Sequence, residues 1–409
     1  MEHDISLVST IAVGLVYALI GGYIASRLRL PPLAGYLLAG VAVGPFTPGF
    51  VADVHLAPQL AEIGVMLLMF GVGMHFSLGD LLAVKSIALP GAVLQMALTT
   101  GFGIGVAWLW GWPLGAGFVF GLALSVASTV VLLRALEAEH ALHTREGRIA
   151  VGWLIVEDLA MVLVLVLLPA LAVPLGGHAL HAETGDGRSL WLTIAITLGK
   201  ITAFVFLMLL AGRRLLPWML KKIEQTGSRE LFTLAVTALA LGVAFGSAEF
   251  FGVSFALGAF FAGLVINESD LSKRAAKEML PLQDAFSVLF FVAVGMLFDP
   301  MILIREPGKV LVTVLIIMVG KSLVAFCVAI AFRMKVRSAL VIMAGLSQIG
   351  EFSFILAVLG QQLGLLSEEG SHLVLAGAMI SITLNPFIFL LISKAIPHDA
   401  PGIAAAGVH

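Results

Sequence analysis

The sequence predicts an all-α polytopic membrane protein, with about 13 transmembrane helices in two inverted-topology repeats and two broken, crossed helices. Composition is the first reason. Of 409 residues, 60% are hydrophobic and 12% charged, with a mean hydropathy of +1.08, whereas soluble domains run at roughly 45–50% apolar and about 25% charged. The second reason is where positive charge falls along the chain, and the third is a repeated register of glycines.

A window of about 20 residues, long enough to cross a bilayer as a helix, places spans near 7–25, 31–45, 57–74, 86–109, 114–136, 148–171, 190–211, 229–247, 252–266, 280–297, 309–332, 338–362 and 371–394. Strand-type alternation is absent, and helices then satisfy the backbone in lipid. The first span follows Glu2 and Asp4 rather than a basic stretch, so it reads as a retained span and not a cleaved signal. The second and ninth are short and Gly-rich. The fifth carries Ser125, Ser128 and Thr129, and the twelfth carries Ser347, Gln348, Gly350, Glu351 and Ser353. Such polarity at membrane depth is tolerated where backbone unwinds beside a cavity. Interruptions are therefore expected near Ser128 to Val130 and near Gln348 to Glu351. Ser125 and Ser353, taken singly, fit equally well as hydroxyls bonded back to their own helices. The single cysteine, Cys327, excludes an intramolecular disulfide and a Cys-based metal site.

The net charge of -2 is uninformative about nucleic acid, and no nucleic-acid partner is expected. With the loop holding Arg27 and Arg29 set inside, 18 of the 23 Lys and Arg lie on that side, 3 lie outside (Arg188, Arg305, Lys309) and 2 lie within spans. This bias fits an odd number of spans, a periplasmic N-terminus and a cytoplasmic C-terminus. Gly35 and Gly40 in LAGYLLAG recur 223 residues on as Gly258 and Gly263 in ALGAFFAG; Gly73 recurs as Gly295 and Gly121 as Gly345, at 222 and 224. Spans 2, 3 and 5 thus match spans 9, 10 and 12, an odd step that turns the second copy over, as in many secondary transporters. The chain divides into a first repeat at 1–189, a linker span and cytosolic loop at 190–228, a second repeat at 229–397 and a flexible tail at 398–409.

Asp158 is the tenth of 20 residues from Ile149 to Leu168, so Glu157 and Asp158 stand near the bilayer midplane. One charge there costs roughly 2.5–3.5 kcal/mol on insertion scales and marks a functional site by default. Lys321, Lys200 and Glu351 lie as deep in their own spans and need partners or neutral forms. Lys321 is expected to pair with Asp158 or Glu157, or else to hold a carbonyl of a broken helix. Lys200 is expected in a structural or dimer-interface role, and Glu351 as a group that orients a broken helix. Adjacent helical residues project about 100° apart, so one carboxylate can face a cavity while the other faces a packed partner. Burial disfavours a carboxylate and a nearby ammonium favours it. A group balanced between the two can hold a proton or a small desolvated cation, which is the minimal chemistry of antiport. The structural alternative is a buried ion pair that only fixes helix register.

LPPLAGYLLAGVAVGP, LMFGVGMHFSLGDL, STVVLLRALE, GWLIVEDLAMV, SFALGAFFAGLVINES, SVLFFVAVGMLFDP and SQIGEFSFIL resemble the membrane domain of the monovalent cation:proton antiporter-2 family, over essentially the whole chain. The resemblance implies a sodium/proton antiporter-like fold and a bacterial inner-membrane homodimer, each protomer with a dimerisation domain and a core that moves as an elevator. It implies an ion and proton site of Asp158, the principal carrier, with Glu157, Ser128, Thr129 and Val130; Lys321 as basic partner; and Ser347, Gln348 and Glu351 as support of the second broken helix. The acidic pair is Glu-Asp where relatives carry Gln-Asp or Asp-Asp, so K⁺ against Na⁺ and the stoichiometry stay open. Members usually continue into a cytosolic nucleotide-binding domain. None is expected within this sequence, and a separate regulatory domain or ancillary subunit stays open as a partner. No cofactor is expected beyond transported H⁺ and K⁺ or Na⁺, and membrane lipids are the remaining partner.

An enzyme is not expected. Gly320-Lys321-Ser322 looks like the end of a P-loop, but position 315 is Leu where that loop needs Gly. Gly101, Gly103 and Gly105 fit close helix packing better than a dinucleotide turn. Most histidines fall in loops, His75 being the one placed at a span end. The competing readings are a gated potassium efflux pathway or channel without obligatory proton coupling, disfavoured by the lack of a TVGYG-like filter, and a membrane sensor that binds ions without moving them.

Overall fold

The computed structural model describes residues 4–28, 30–48, 56–75, 78–129, 131–132, 136, 145–178 and 190–395. The elements are α1 (Asp4–Arg27), α2 (Pro32–Val43), α3 (Ala57–His75), α4 (Leu78–Leu109), α5 (Leu114–Ser125) and α6 (Arg145–Leu171). Next comes α7 (Leu190–Leu207), which continues through a π turn at Met208–Gly212 into Arg213–Glu224. Then follow α8 (Arg229–Phe251), α9 (Phe255–Asn267), α10 (Ser272–Met296) and α11 (Pro307–Leu315, through a π turn at Ile316–Lys321 into Ser322–Ala331). The chain closes with α12 (Val336–Gly345), α13 (Glu351–Gln362) and α14 (Glu368–Ala395).

Among the described residues there are 8 helices long and apolar enough to cross a membrane, and shorter apolar helices at Pro32–Val43, Gln59–Met74, Leu114–Ser125, Phe255–Asn267 and Val336–Gly345 stand at the remaining spans. Local chemistry sets several of their ends. Pro32 opens α2 at a position where its missing N–H is no loss. Ser228 caps α8 by accepting from Leu231 N, and Gly252, at φ 64°, takes the left-handed conformation that stops it. Large apolar side chains are bare on outward faces, among them Trp108 (74% exposed), Leu19 (71%) and Phe250 (78%). Lipid covers such surface in a protein of this class.

The helices sort into two groups. α1, α2 and α3 pack with α8, α9 and α10, whereas α4, α5 and α6 pack with α11 to α14. Each repeat therefore contributes to both groups. α7 touches α6 on one side and α8 on the other, and the groups also meet where α2 approaches α14 and α6 approaches α9.

Glycines in the repeated register make related contacts. Gly40 and Gly295 press α2 onto α10, and Gly263 and Gly73 press α9 onto α3; a Cβ on any of the four would meet opposing backbone. Gly40 corresponds to Gly263 and Gly295 to Gly73, so one contact is the other turned over. Removing the side chain lets the backbones approach within van der Waals distance, the main attractive force between helices in lipid.

Both interruptions are present, and the bounds of both are corrected. The first interruption covers residues 126–128, upstream of the expected Ser128 to Val130, and Thr129 is already helical. Ser128 Oγ accepts from Val131 N at 3.3 Å, so Ser128 caps the second half and the unwound stretch precedes it. The second interruption covers 346–350, and Glu351 is the first residue of α13 rather than part of the break. Val130 and the tail from residue 396 lie outside the described residues.

Candidate ion-binding site

α5 ends at Ser125, and Val126 turns to extended backbone at φ -103°, ψ 134°. Gly350 is extended before α13, at φ -115°, ψ -169°. The two interruptions cross there: a Cβ on Gly350 would stand 2.6 Å from Ser128 Cα and 2.8 Å from its N. Only glycine permits that approach without displacing backbone.

Unwinding a helix in lipid frees N–H and C=O groups that must find partners. Buried side chains supply them. Ala127 N donates to Glu157 Oε2 at 2.8 Å. Ser128 N donates to Gln348 Oε1 at 3.0 Å, and Gln348 Nε2 returns a bond to Ser128 O at 3.1 Å and another to Gly345 O at 3.2 Å. Lys321 Nζ donates to Gln348 O at 2.7 Å. Gln95 Nε2 donates to Ser125 O at 3.0 Å, and Ser353 Oγ to Ala123 O at 2.5 Å. Asn385 Nδ2 donates to Ala344 O and to Ser347 Oγ, both at 2.8 Å.

The carboxylates stand over this crossing on α6 and α13. Glu157 is fully buried and Asp158 partly so. Thr129 Oγ1 donates to Asp158 Oδ2 at 2.9 Å. Among the described residues the remaining oxygens, Glu157 Oε1 and Asp158 Oδ1, have no hydrogen-bond partner, and neither has Glu351 Oε2. Glu351 and Glu157 act electrostatically on Asp158, while Lys321 acts on Glu157. Lys321 is fully buried at the end of the π turn of α11, a local widening often found at functional positions. Among the described residues no carboxylate lies within ion-pair distance of it; its short contact is the Gln348 carbonyl.

The structure thus gathers Glu157, Asp158, Ser128, Thr129, Lys321, Ser347, Gln348 and Glu351 in one place. Lys200 is apart from them, exposed on the outward face of α7, and the His75 side chain lies outside the described part. Three positions were not anticipated. Ala127 acts through its backbone N–H and carries no side-chain signal. Gln95 and Asn385, both fully buried, are single amides in apolar helices, and their burial in a span was the one available clue.

The family model for the transmembrane region of sodium/hydrogen exchangers matches residues 15–394. The chain belongs to the sodium/hydrogen exchanger family. This exchanger-family chain is 60% identical over 394 residues to YbaL of Escherichia coli (strain K12), whose name assigns it as a cation/proton antiporter; the match covers 96% of this chain and 70% of YbaL. It is 32% identical over 398 residues to K(+) efflux antiporter 4 of Arabidopsis thaliana, covering 97% of this chain and 65% of that one. Its fold is like that of the sodium proton antiporter MjNhaP1 of Methanocaldococcus jannaschii, with a TM-score of 0.67, 15% identity, and coverage of 96% and 99%.

Among the described residues of this chain no three His, Cys, Asp or Glu side chains converge as a metal cluster. A cation resting by Asp158 would take one or two carboxylate oxygens and complete its shell with backbone carbonyl or water oxygens. Hard oxygen donors of that kind suit an alkali cation, and the same oxygens accept a proton.

Proposed function

We propose that this chain is a secondary active transporter that exchanges protons for a monovalent cation, K⁺ or Na⁺, across the bacterial inner membrane by elevator-type alternating access. The observation that carries the proposal is that, among the described residues, Asp158, Glu157 and Glu351 each keep an oxygen without a hydrogen-bond partner beside one buried ammonium. Three carboxylates against one Lys321 leave an excess of buried negative charge, which a bound cation or protons must offset. Exchange follows from that need: the site crosses the membrane only when loaded.

Asp158 is the principal carrier, and Thr129 with Ser128 shapes the oxygen shell, to which the family resemblance adds Val130. Glu157 is anchored through Oε2 to Ala127 N, which leaves Oε1 to answer the state of its neighbour. Lys321 ties the second broken helix through Gln348 O. The moving body is the group α4, α5, α6 and α11 to α14, and the other group is its frame; the sparse meeting points of the two groups suit sliding. The N-terminus is periplasmic and the C-terminus cytoplasmic, an orientation that the loop charges support. A second copy covers the outward face of α7 at Lys200, since a midplane ammonium bare to lipid is costly. The naming of one relative for K⁺ efflux supports K⁺, and that of the structural neighbour supports Na⁺.

Proteoliposomes with an entrapped pH dye test this, titrated with Na⁺, K⁺, Rb⁺ and Li⁺ over several pH values. The intact protein is expected to give cation-driven pH recovery and D158N none. Full recovery in D158N removes Asp158 from the mechanism, and cation flux without any pH change makes the protein a channel.

A further inference from the structure

The cytoplasmic end of α7 carries a surface that ion exchange does not use. Continuing past its π turn, the helix exposes Arg214, Leu215 (50%), Trp218 (58%), Lys221 and Lys222 and buries Leu216 and Leu220. Arg214, Trp218 and Lys221 follow one another at steps of four and three residues, and Leu215, Trp218 and Lys222 at three and four, so the five form one stripe. The stripe places the Trp218 indole between Arg214 and Leu215 one turn above and two cations one turn below.

Neighbouring cations are already satisfied. Arg213 pairs with Glu268 at 2.6 Å and Arg229 with Glu278 at 2.9 Å. Arg274 pairs with Glu224 at 3.0 Å while stacking on Phe232. These pairs engage Glu224, Glu268 and Glu278. Among the described residues Arg214, Lys221 and Lys222 have no acidic partner within ion-pair distance.

Length and charge together place the stripe. From Leu190 to Glu224 the helix runs about 50 Å at roughly 1.5 Å per residue, against a hydrocarbon core of about 30 Å. The excess leaves room for its last turns, which carry Arg213, Arg214, Lys221 and Lys222, to stand in the headgroup layer, and the run from Arg214 to Lys222 is about 12 Å long. Exposed Trp108 marks the opposite end of α4 in the same way that Trp218 marks this one. An aromatic anchor flanked by cations without acidic partners at headgroup depth matches a phosphodiester headgroup.

We propose that Arg214, Trp218, Lys221 and Lys222 form a binding site for an anionic phospholipid of the cytoplasmic leaflet. The leaflet rests on the orientation proposed above, but the binding does not, and neither depends on transport. The test is thermal unfolding of the full chain in detergent, titrated with phosphatidylglycerol or with phosphatidylcholine as the uncharged comparison. Phosphatidylglycerol is expected to raise the melting temperature, as a ligand of the native state must, and phosphatidylcholine to leave it unchanged. The triple variant R214A/K221A/K222A is expected to lose the rise, and R214K/K221R/K222R to keep it. K335A/R337A, which removes cations from another cytoplasmic loop, is expected to keep it as well. Bromine-labelled phosphatidylglycerol should quench tryptophan fluorescence less in W218F than in the parent. An equal response to both lipids in the parent, or an undiminished response in the triple variant, overturns the site.

Discussion

Gln348 joins Ser128 as one peptide group joins another. Its carboxamide oxygen accepts from Ser128 N at 3.0 Å and its nitrogen donates to Ser128 O at 3.1 Å, so a side chain of the second repeat replaces the helical partner that Ser128 N gave up and joins Leu132 N at Ser128 O. The pair locks the two interruptions at the depth where unmet backbone groups are most costly.

Replacing Gln348 by Leu leaves the N–H of Ser128 and the C=O of Gly345 buried without the partner that Gln348 supplies, while the C=O of Ser128 keeps Leu132 N as a donor at 3.2 Å. At about 1–3 kcal/mol for each of these two groups, the loss should be roughly 2–6 kcal/mol, read as a lower melting temperature of the purified protein. Q348E keeps an acceptor for Ser128 N but cannot donate to Ser128 O or Gly345 O when ionised, and should lie between Q348L and the parent. Equal stability of all three would show that the pairing contributes nothing.

The turned-over glycine contacts predict a symmetry of damage. G40V and G263V each insert a side chain against opposing backbone, and overpacking of that kind costs about 1–3 kcal/mol. The two variants should lose similar stability in thermal unfolding, although residues 40 and 263 lie in different helices. G101V and G105V, at glycines with open space around the Cβ position, should change little. A strong effect at Gly263 with none at Gly40 would break the equivalence of the repeats.

Spacing and charge placement made the architecture legible because each is local. Apolar length gives the spans, loop charge gives their alternation, and glycines at one offset give the repeat. The candidate site was legible in its residue types, since buried carboxylates and the SQIGE run have no other ready use in lipid. Directions were not. Whether Lys321 reaches a carboxylate or a carbonyl depends on where α12 ends relative to α11, and that is set by packing across residues far apart in sequence. Ser128 reads equally as part of a break and as the cap that ends it. Ala127 is invisible to any reading of side chains, because only the unwinding beside it exposes its N–H to Glu157.

Lys321 separates support from charge. K321M leaves Gln348 O buried without a donor and should cost about 1–3 kcal/mol of stability. K321Q can still donate to that carbonyl and should recover most of the loss while removing the ammonium. If Lys321 gives up a proton when Glu157 and Asp158 take a cation, the parent moves net charge and K321Q does not. A valinomycin-imposed potential in proteoliposomes then changes the transport rate of the parent and leaves K321Q indifferent. Equal sensitivity of both proteins excludes a charge-carrying role for Lys321.

Proton and cation compete for the same oxygens on Asp158, and competition has a definite kinetic form. A ligand that must be deprotonated loses affinity as pH falls: below the pH at which the site titrates, the apparent KM for the cation should rise by about tenfold per pH unit for one competing proton and more steeply for two. The maximal rate at saturating cation should change much less, because enough cation displaces the proton. The dependence runs in the direction of a carboxylate, with binding present at high pH and lost at low pH. T129V removes the hydrogen bond to Asp158 Oδ2 and so withdraws support from the charged form. Its KM profile should shift to higher pH with the slope retained. Initial rates of dye-reported exchange, measured across a grid of pH and cation concentration, separate these outcomes. A KM independent of pH, with a maximal rate that falls instead, would place the proton and the cation on different groups and remove the shared site on which exchange depends.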